Sequence, residues 1–193
     1  MRVNEYFDRV VVINLDRRTD RMDKLGAQLD ELGIVYERFS AVDAQEVKID
    51  PKIAGVQSHV AVWKRYLGKK VLILEDDALF CQDFNEKFDE HIAELPKDWD
   101  VFYLGVLLPK NVGKVEPVNR YWSRLVFSTG SHAYCIKPEL MYTYIKALED
   151  YDWYIDVGLR VHSEDRNIYV PESNLVTQFP SFSDLRGKEV DDF

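Results

Sequence analysis

Two runs of consecutive apolar residues constrain the fold of this chain most strongly. RVVVINL covers residues 9–15, and VLIL covers residues 71–74. Apolar positions that do not alternate with polar ones are typical of strands buried on both faces, as in a parallel sheet covered by helices. We therefore expect the rest of the chain to supply helices for both faces of a sheet.

Helical patterns do stand between the predicted strands. After the first run, Thr19 is predicted to cap a helix that Gly33 ends. Further helices are predicted over residues 55–67 and 83–95, and another is predicted to start at Pro138. Additional strands are predicted over IVYERFSAV (34–42), VFYLG (101–105) and AYCI (133–136), followed by the short elements NIYVP and LVTQF. This alternation predicts a single α/β domain over residues 1–193, with a Rossmann-like, mostly parallel sheet flanked by helices.

The charge of the chain disfavours some classes of function. Its 34 acidic residues outnumber its 25 lysines and arginines, which gives a formal net charge of −9. Nonspecific binding to nucleic acid or to an anionic membrane needs a basic face, so neither is expected as the main role. No apolar run is long enough for a transmembrane helix, and the N-terminus lacks the order of a signal peptide. We expect a soluble, cytoplasmic protein.

Polar residues cluster where three of the predicted strands end. Residues 14–18 follow the first strand, residues 42–43 the second, and residues 75–77 the third. The carboxyl ends of parallel strands meet at one edge of a sheet, and ligands of such folds bind there. We therefore expect the three clusters to converge on one binding site.

The acidic cluster EDD at residues 75–77 indicates a metal ion. Carboxylates at alternate positions of an extended chain face the same way, so Glu75 and Asp77 can reach one hard divalent cation while Asp76 points away. Mg²⁺ and Mn²⁺ prefer oxygen ligands and often complete their shells with waters and phosphates. The alternative is a solvated acidic turn or a helix N-terminus, where carboxylates suit the helix dipole.

The segment DRRTDR, which follows the first strand, carries Arg17, Arg18 and Arg21. Guanidinium groups pair well with phosphates, so this segment is a candidate for binding a diphosphate. The alternative is that these arginines pair with the aspartates of the same segment. In the motif GVQSH, His59 is a candidate ligand or base, although a lone helical histidine is more often structural. Ser58 is a candidate helix cap or phosphate contact.

Short motifs extend over nearly the whole chain: VVINLDRRTDRM, FSAVDA, GVQSHVAVWK, VLILEDDALF, YLG, STGSHAYCIKP, YIDVGL and LVTQFPSFSDL. In this order they resemble glycosyltransferase family 25, the group that includes lipopolysaccharide galactosyltransferases and collagen galactosyltransferase domains. The resemblance implies a GT-A fold that binds a UDP-sugar and a divalent ion, Mn²⁺ or Mg²⁺, at the acidic cluster. Residues 1–105 would form the nucleotide-sugar-binding half, and residues 106–193 the acceptor-side half.

The resemblance also implies roles for individual residues. Glu75 and Asp77 would hold the metal ion, with Asp76 and Asp77 as the alternative pair. Asp156 in YIDVGL would be the catalytic base that takes the proton of the acceptor hydroxyl. The alternative for Asp156 is a helix cap or an ion pair with Arg160. The nucleotide-sugar-binding residues would be Asn14, Leu15, Arg17, Arg21, Asp43, Ser58, His59, Asp76, Gln178, Ser183 and Asp184.

The chain departs from the family pattern at several points. It is short for the family, Val56 stands where many members have cysteine, and His132 in GSHAY is unexpected. Residues 106–124 interrupt the alternation of strands and helices, and we expect them to form a long loop or a short hairpin. Four aromatic residues are candidates for stacking on a sugar, with burial in the core as the alternative: Tyr103, Trp122, Trp153 and Tyr154.

The implied activity is transfer of a hexose, galactose first and glucose next, from a UDP-sugar to a hydroxyl of a glycan or glycoprotein, with inversion. One alternative is a catalytically inactive domain that binds a nucleotide sugar. A remote alternative is a HAD-like phosphatase, because EDDALF faintly resembles the signature DxDGTLF of that class. In that interpretation Glu75 would stand where the nucleophilic aspartate belongs.

Overall fold

The computed structural model describes residues 2–107, 114–127, 129–161, 165–184 and 188–190. Within these residues the helices are α1 (Val3–Tyr6), α2 (Thr19–Glu31), α3 (Ala44–Val47), α4 (Pro51–Arg65), α5 (Phe84–Ala93), α6 (Met141–Leu148) and α7 (Ile155–Val161). The strands are β1 (Arg9–Asn14), β2 (Glu37–Ser40), β3 (Val71–Glu75), β4 (Ala78–Phe80), β5 (Val101–Tyr103), β6 (Lys114–Pro117), β7 (Trp122–Phe127), β8 (Ala133–Ile136), β9 (Ile168–Pro171), β10 (Val176–Gln178), β11 (Ser181–Ser183) and β12 (Lys188–Val190).

Among the described residues, the large sheet has eight strands in the order β2-β1-β3-β8-β5-β9-β7-β6. The strands β2, β1 and β3 are parallel neighbours, and β5 runs parallel to β9. The strand β8 lies antiparallel between β3 and β5, and β7 lies antiparallel between β9 and β6. Six of the eight strands therefore run in one direction and two are reversed. The predicted α/β fold with a mostly parallel sheet flanked by helices is confirmed.

Consecutive residues of the central strands are buried against opposite helix layers. Val12 of β1 packs in one cluster with Leu25 of α2 and Phe88 of α5, whereas its neighbour Val11 packs in another cluster with Trp63 of α4. Full burial of a valine side chain stabilises a fold by roughly 1.5–3 kcal/mol. Because both faces of β1 are covered, every position gains from being apolar, which explains the run of valines.

Two helix starts differ from the prediction. Thr19 is the first residue of α2, and Arg18 occupies the N-cap without a side-chain hydrogen bond to the helix. Helix α4 begins at Pro51, four residues before the predicted start at residue 55. Asp50 caps α4 by accepting from the backbone nitrogen of Lys52 at 2.8 Å, and a proline suits the first helical position.

The region after β5 contains the hairpin β6–β7 in its described part, while residues 108–113 lie outside the described residues. The direction of β8 was not apparent from the sequence, because a short buried strand has the same pattern in either direction. The strand β7 begins within residues 106–124, for which the sequence predicted only a long loop or a short hairpin. No helix of the described residues combines the length and apolar character that are needed to cross a membrane.

Candidate active site

A cavity of about 890 Å³ opens where β1, β2 and β3 end. Its wall contains Leu15 and Arg17 after β1, Asp43 after β2, and Asp76 and Asp77 after β3. The three polar clusters predicted to converge therefore do lie together at the carboxyl edge of the sheet. The volume falls within the range of about 300–1,000 Å³ in which small-molecule ligands usually bind.

All but two of the predicted site residues line this cavity. Asn14 is not among the lining residues, and only 1% of its surface is exposed. Its side-chain nitrogen donates to Asp76 Oδ2 at 2.8 Å and to the carbonyl oxygen of Arg18 at 3.0 Å. These bonds hold Asn14 against the acidic cluster, and its place along a nucleotide stays a prediction. Ser183 ends β11, and its side chain lies outside the part of the structure that is described.

Asp76 is the most enclosed of the three adjacent acids. Its Oδ1 accepts from Arg21 Nη1 at 2.6 Å, and its Oδ2 accepts from Asn14. Burial raises the pKa of Asp76, and this effect outweighs the ion pair with Arg21. With both oxygens bonded inside the protein, Asp76 is the acid with least capacity for an external ligand.

Asp77 is less well compensated. Its Oδ1 accepts from Gln178 Nε2 at 3.1 Å, and its Oδ2 lies 3.5 Å from Arg21 Nη1. Burial, followed by the negative charge of Glu75, raises the pKa of Asp77 to about 7. An additional cation at Asp77 would favour its carboxylate against both burial and the repulsion from Glu75.

Glu75 is bonded on a single oxygen by two side chains from different elements. Ser131 Oγ donates to Glu75 Oε1 at 2.5 Å, and His59 Nε2 lies 3.5 Å from the same oxygen. Burial alone would raise the pKa of Glu75. The hydrogen bond and charge of His59, together with the hydrogen bond from Ser131, outweigh burial, and the net pKa of Glu75 lies below its ordinary value. Glu75 is thus held as a carboxylate that joins α4 to the segment before β8.

A chain of hydrogen bonds continues from His59 into the core. Its Nδ1 lies 2.9 Å from the hydroxyl oxygen of Tyr134, which also accepts from Trp63 Nε1 at 3.2 Å. An indole nitrogen can only donate, so the Tyr134 hydroxyl oxygen is the acceptor of the bond from Trp63. The chain of contacts therefore links Glu75 through His59 to the buried side chains of Tyr134 and Trp63.

The arginines predicted to bind a diphosphate are held by acids of the protein. Asp184 accepts from Arg17 Nη1 at 2.6 Å on one oxygen and from Arg18 Nη1 at 2.5 Å on the other. Arg17 also donates to Asp43 at 2.7 Å, and Arg18 donates to Asp20 at 2.8 Å. An anionic ligand at this place would therefore exchange with Asp184.

Ser58 is bonded entirely within the protein. Its Oγ donates to the carbonyl oxygen of Ala54 at 2.7 Å and accepts from the backbone nitrogen of Val42 at 2.9 Å. Ser58 thereby ties α4 to the loop after β2, which carries Asp43. Although Ser58 lines the cavity, this bonding favours a role in shaping the loop.

Later parts of the chain supply another portion of the cavity wall. Asp156, in the first turn of α7, accepts from the backbone nitrogen of Gly130 at 3.0 Å on Oδ2 and from that of Val157 at 2.8 Å on Oδ1. The cavity thus brings Asp156 together with the acidic cluster, although they are about eighty residues apart along the chain.

The four candidate aromatic residues divide into two groups. Tyr103 and Trp122 are buried in the core, with 4% and 0% of their surfaces exposed, so they are not available to a sugar. Trp153 is 48% exposed, and its neighbour Tyr154 lines the cavity. Lys52 Nζ lies 4.3 Å from the centroid of the Trp153 ring, in a cation–π contact.

The comparisons with known proteins agree with the motifs. Procollagen galactosyltransferase 2 from Mus musculus is 27% identical over 157 aligned positions, which cover 61% of this chain and 25% of that protein. Relatives named glycosyltransferase 25 family member are 26–31% identical over about half of this chain. The resemblance to glycosyltransferase family 25 is confirmed. The chain spans about a fifth to a quarter of the length of these relatives.

The relatives in family 25 are not all described as active. Inactive glycosyltransferase 25 family member 3 from Homo sapiens is 28% identical over 129 aligned positions, which cover 51% of this chain and 22% of that protein. No protein-family model matches the chain. Among solved structures, a Bacillus anthracis protein described as a glucose-1-phosphate thymidylyltransferase aligns with a TM-score of 0.47 and 12% identity, over 87% of this chain and 69% of that one.

The residues present suit a divalent cation that is shared with a ligand. Their donor atoms are carboxylate oxygens, which Mg²⁺ and Mn²⁺ prefer, and a cation would favour the ionised form of Asp77, whose pKa is raised by burial and then by the charge of Glu75. In the described part of the chain, no group of three or more His, Cys, Asp or Glu side chains is arranged to hold a metal ion. A cation here would therefore need waters or phosphates to complete its shell.

The structure also identifies site residues that the sequence did not single out. Gly130 and Ser131 line the cavity, and the hydroxyl of Tyr134 forms a hydrogen bond with His59 Nδ1 on the core side of the ring. They belong to STGSHAYCIKP, a motif of the family 25 pattern, in which small residues precede a buried strand. His132, unexpected in that pattern, is fully buried and donates from Nε2 to the carbonyl oxygen of Val176 at 3.0 Å. It thereby joins β8 to β10, which carries Gln178.

Proposed function

We propose that this chain is the transferase domain of a metal-dependent hexosyltransferase, which moves a hexose from a UDP-sugar to a hydroxyl acceptor. Galactose is the donor sugar that we expect first, and glucose the next. The observation that carries this proposal is one cavity whose wall brings together Arg17 and Arg21, the acidic cluster at residues 75–77 and the separate carboxylate of Asp156. The relatives named as galactosyltransferases and family 25 members support the same activity.

The nucleotide end of the donor is assigned to the residues after β1 and β2. Phosphates would replace Asp184 between Arg17 and Arg18, because guanidinium groups bind phosphate oxygens in a bidentate manner. Asp43, which Arg17 already holds, would face the base. A divalent cation would be held by Asp77 together with Glu75 or Asp76. When bound, it would neutralise negative charge on the UDP leaving group, an effect of several kcal/mol in such sites.

Asp156 is assigned as the general base. The bond between the anomeric carbon and the phosphate oxygen breaks, and UDP leaves with the electron pair. A new bond forms between that carbon and the acceptor oxygen, whose proton passes to Asp156. Two backbone N–H groups already orient the carboxylate of Asp156, so little reorganisation is needed when the acceptor arrives.

The acceptor is proposed to be a glycan or a glycoprotein. Trp153 supports this assignment because a half-exposed indole ring next to Tyr154 offers an apolar face to a sugar ring. Binding of a sugar would extend from these rings to the Asp156 carboxylate, which is only a few residues further along the same segment.

The second candidate function is a domain that binds a nucleotide sugar without transferring it. The human relative named as inactive favours this alternative, because it is about as similar to the chain as the other relatives are. Binding of a UDP-sugar with no release of UDP, even by slow hydrolysis, would identify the inactive domain. A phosphatase of the HAD type would instead release phosphate from a simple phosphomonoester.

Thermal shift and UDP release test the proposal together. The purified chain is incubated with UDP-galactose, UDP-glucose and GDP-mannose, with MnCl₂ or with EDTA. We expect stabilisation and UDP release with the UDP-sugars and Mn²⁺, and neither in Asp77→Ala. Asp30→Ala removes an exposed carboxylate at the end of α2 and serves as the matched control. Equal responses of Asp77→Ala and Asp30→Ala, or no response of the unmodified chain, would contradict the proposal.

A further inference from the structure

Two consecutive residues make hydrogen bonds to the two carboxylate groups that the proposed reaction uses. The backbone nitrogen of Gly130 donates to Asp156 Oδ2 at 3.0 Å. The hydroxyl of the next residue, Ser131, donates to Glu75 Oε1 at 2.5 Å. All four residues line the same cavity, so a single turn of the backbone connects the acidic strand end to the carboxylate on α7.

The conformation of Gly130 makes this connection specific to glycine. Its φ angle is +94°, in a region that residues with a side chain rarely adopt. A Cβ atom at this position would lie 3.3 Å from His132 Nδ1 and 3.3 Å from Leu107 Cγ, both inside the fold. Any other residue would have to change the backbone, and with it the direction in which the N–H group points at Asp156.

The turn is anchored on each side by backbone pairing. Before it, Thr129 and Leu107 exchange hydrogen bonds of 2.8 and 2.9 Å. After it, the backbone nitrogen of Glu75 donates to the carbonyl oxygen of His132 at 3.0 Å, which extends the pairing of β3 with β8. Ser131 itself is buried, with 4% of its surface exposed. The turn therefore cannot shift without moving groups of the sheet.

We propose that the Gly130–Ser131 turn is a positioning element that fixes the Asp156 carboxylate relative to Glu75 and the acidic strand end. The inference rests on the proposed function, in which Asp156 accepts the acceptor proton while the acidic strand end faces the departing diphosphate. Neither residue touches the reacting atoms; each acts through the carboxylate to which it donates. Misplacement of a catalytic group by about 1 Å can cost on the order of 100-fold in rate.

The first test needs no activity. Hydrogen exchange of the Gly130 amide is followed by NMR in the EDTA-treated protein. We expect Ser131→Ala to accelerate exchange at Gly130 at least tenfold, because the turn loses its bond to Glu75 and opens more often. Ser123→Ala is the matched control. Ser123 is another buried serine, which lies in β7 and donates to a glutamate, Glu172. Unchanged exchange at Gly130 in Ser131→Ala, or equal acceleration in Ser123→Ala, would overturn the proposal.

The second test separates positioning from general loss of stability. Gly68 also has a positive φ angle, +79°, but nothing lies within 4 Å of a Cβ there, and it precedes β3 at the other end of the strand. Gly130→Ala and Gly68→Ala therefore share the backbone strain. With UDP-galactose and Mn²⁺, we expect Gly130→Ala to lower kcat for UDP release at least tenfold more than Gly68→Ala, with KM for UDP-galactose unchanged.

The outcomes of the second test are distinguishable from failure of the proposed function. Equal kcat in the two alanine variants would overturn the positioning role. A Gly130→Ala protein that folds but has lost UDP-galactose binding would also overturn it, because the damage would then lie in the donor site. If the unmodified chain binds UDP-galactose and releases no UDP, the transferase assignment fails, and the exchange experiment still tests whether the turn couples Glu75 to Asp156.

Discussion

The cavity wall that the proposed function assigns to the donor, called the donor wall, is formed by the residues that follow β1, β2 and β3. It differs in construction from the wall assigned to the acceptor, called the acceptor wall, which is formed by Gly130 and residues 154–156. The donor wall is held by ion pairs between side chains, such as Arg21 with Asp76 and Arg17 with Asp43. On the acceptor wall, Asp156 is held by two backbone N–H groups. In the proposed function, donor binding would therefore depend on charged side chains, whereas the geometry of proton transfer would depend on the backbone.

The largest effect should come from the acceptor wall. In Asp156→Asn, the amide oxygen can still accept from Gly130, but the side chain can no longer take a proton. We expect UDP release to fall by roughly 100- to 10,000-fold, the usual contribution of a general base. Binding of UDP-galactose, measured by calorimetry, should stay within twofold. Asp152→Asn, which changes an exposed acid nearby, serves as the control. A loss of donor binding in Asp156→Asn would contradict the division between the two walls.

Arg21→Ala should give the next largest effect, on stability. It leaves Asp76 buried without its closest cation, and breaking a buried ion pair from one side costs roughly 3–5 kcal/mol. We expect a drop of that size in the free energy of unfolding, measured with urea. Arg17→Ala removes the pairs with Asp43 and Asp184, in which the arginine side chain is 38% exposed, and each pair should contribute about 1 kcal/mol or less. Similar losses of unfolding free energy in both variants would show that the buried Arg21–Asp76 pair contributes no more to stability than the exposed pairs of Arg17.

Asp77→Asn should stabilise the metal-free protein, and the effect should depend on pH. Because the folded-state pKa of Asp77 is raised from 3.8 to about 7, the folded protein binds this proton more tightly than the unfolded chain. The unmodified protein therefore loses stability as pH rises from about 4 to about 7, and Asn removes that loss. At pH 8 we expect a gain on the order of 1–3 kcal/mol relative to the unmodified chain.

The measurement is urea unfolding of both proteins in EDTA at several pH values. The difference between them should be small at pH 4 and should grow through pH 7, then level off. A difference that does not vary with pH would show that Asp77 is ionised normally in the folded protein. With Mn²⁺ and UDP-galactose added, the order of stability should reverse, because the variant lacks the proposed metal ligand.

Trp153→Ala should give the smallest effect. Since 48% of Trp153 is exposed, its removal should change the free energy of unfolding by about 0.5 kcal/mol or less. We expect KM for an oligosaccharide acceptor to rise a few-fold, with KM for UDP-galactose unchanged. Tyr142→Ala, another largely exposed aromatic residue, is the matched control. If neither variant alters acceptor kinetics, Trp153 plays no part in acceptor binding.

The donor wall was largely predictable from sequence, for a physical reason. Strands buried on both faces leave a clear apolar pattern, and the polar residues that follow them must lie at one sheet edge. This pattern alone is enough to place Arg17, Asp43 and Asp77 in one cavity. What could not be predicted was which acid pairs with which cation. Arg21 meets Asp76 across 55 residues of chain, and short-range patterns carry no information about such a contact.

The acceptor wall was less predictable because its function depends on backbone direction. The positive φ angle of Gly130 and the bond from its N–H group to Asp156 leave no periodic trace in the sequence. The hydrogen-bond partners of Asn14 were not predictable for a related reason. An amide beside a strand end can face a ligand or a neighbouring carboxylate, and only the packing of Asp76 selects the second.

The position of β8 has a consequence for how the protein is made. Residues 133–136 insert between β3 and β5, so the centre of the sheet is completed by a strand that is synthesised about sixty residues after β3. Until then, β3 has a bare hydrogen-bonding edge, and such edges pair readily with other chains. A ribosome-bound chain that ends near residue 105 should therefore need protection from aggregation, and residues 1–105 should not form a stable domain when expressed alone.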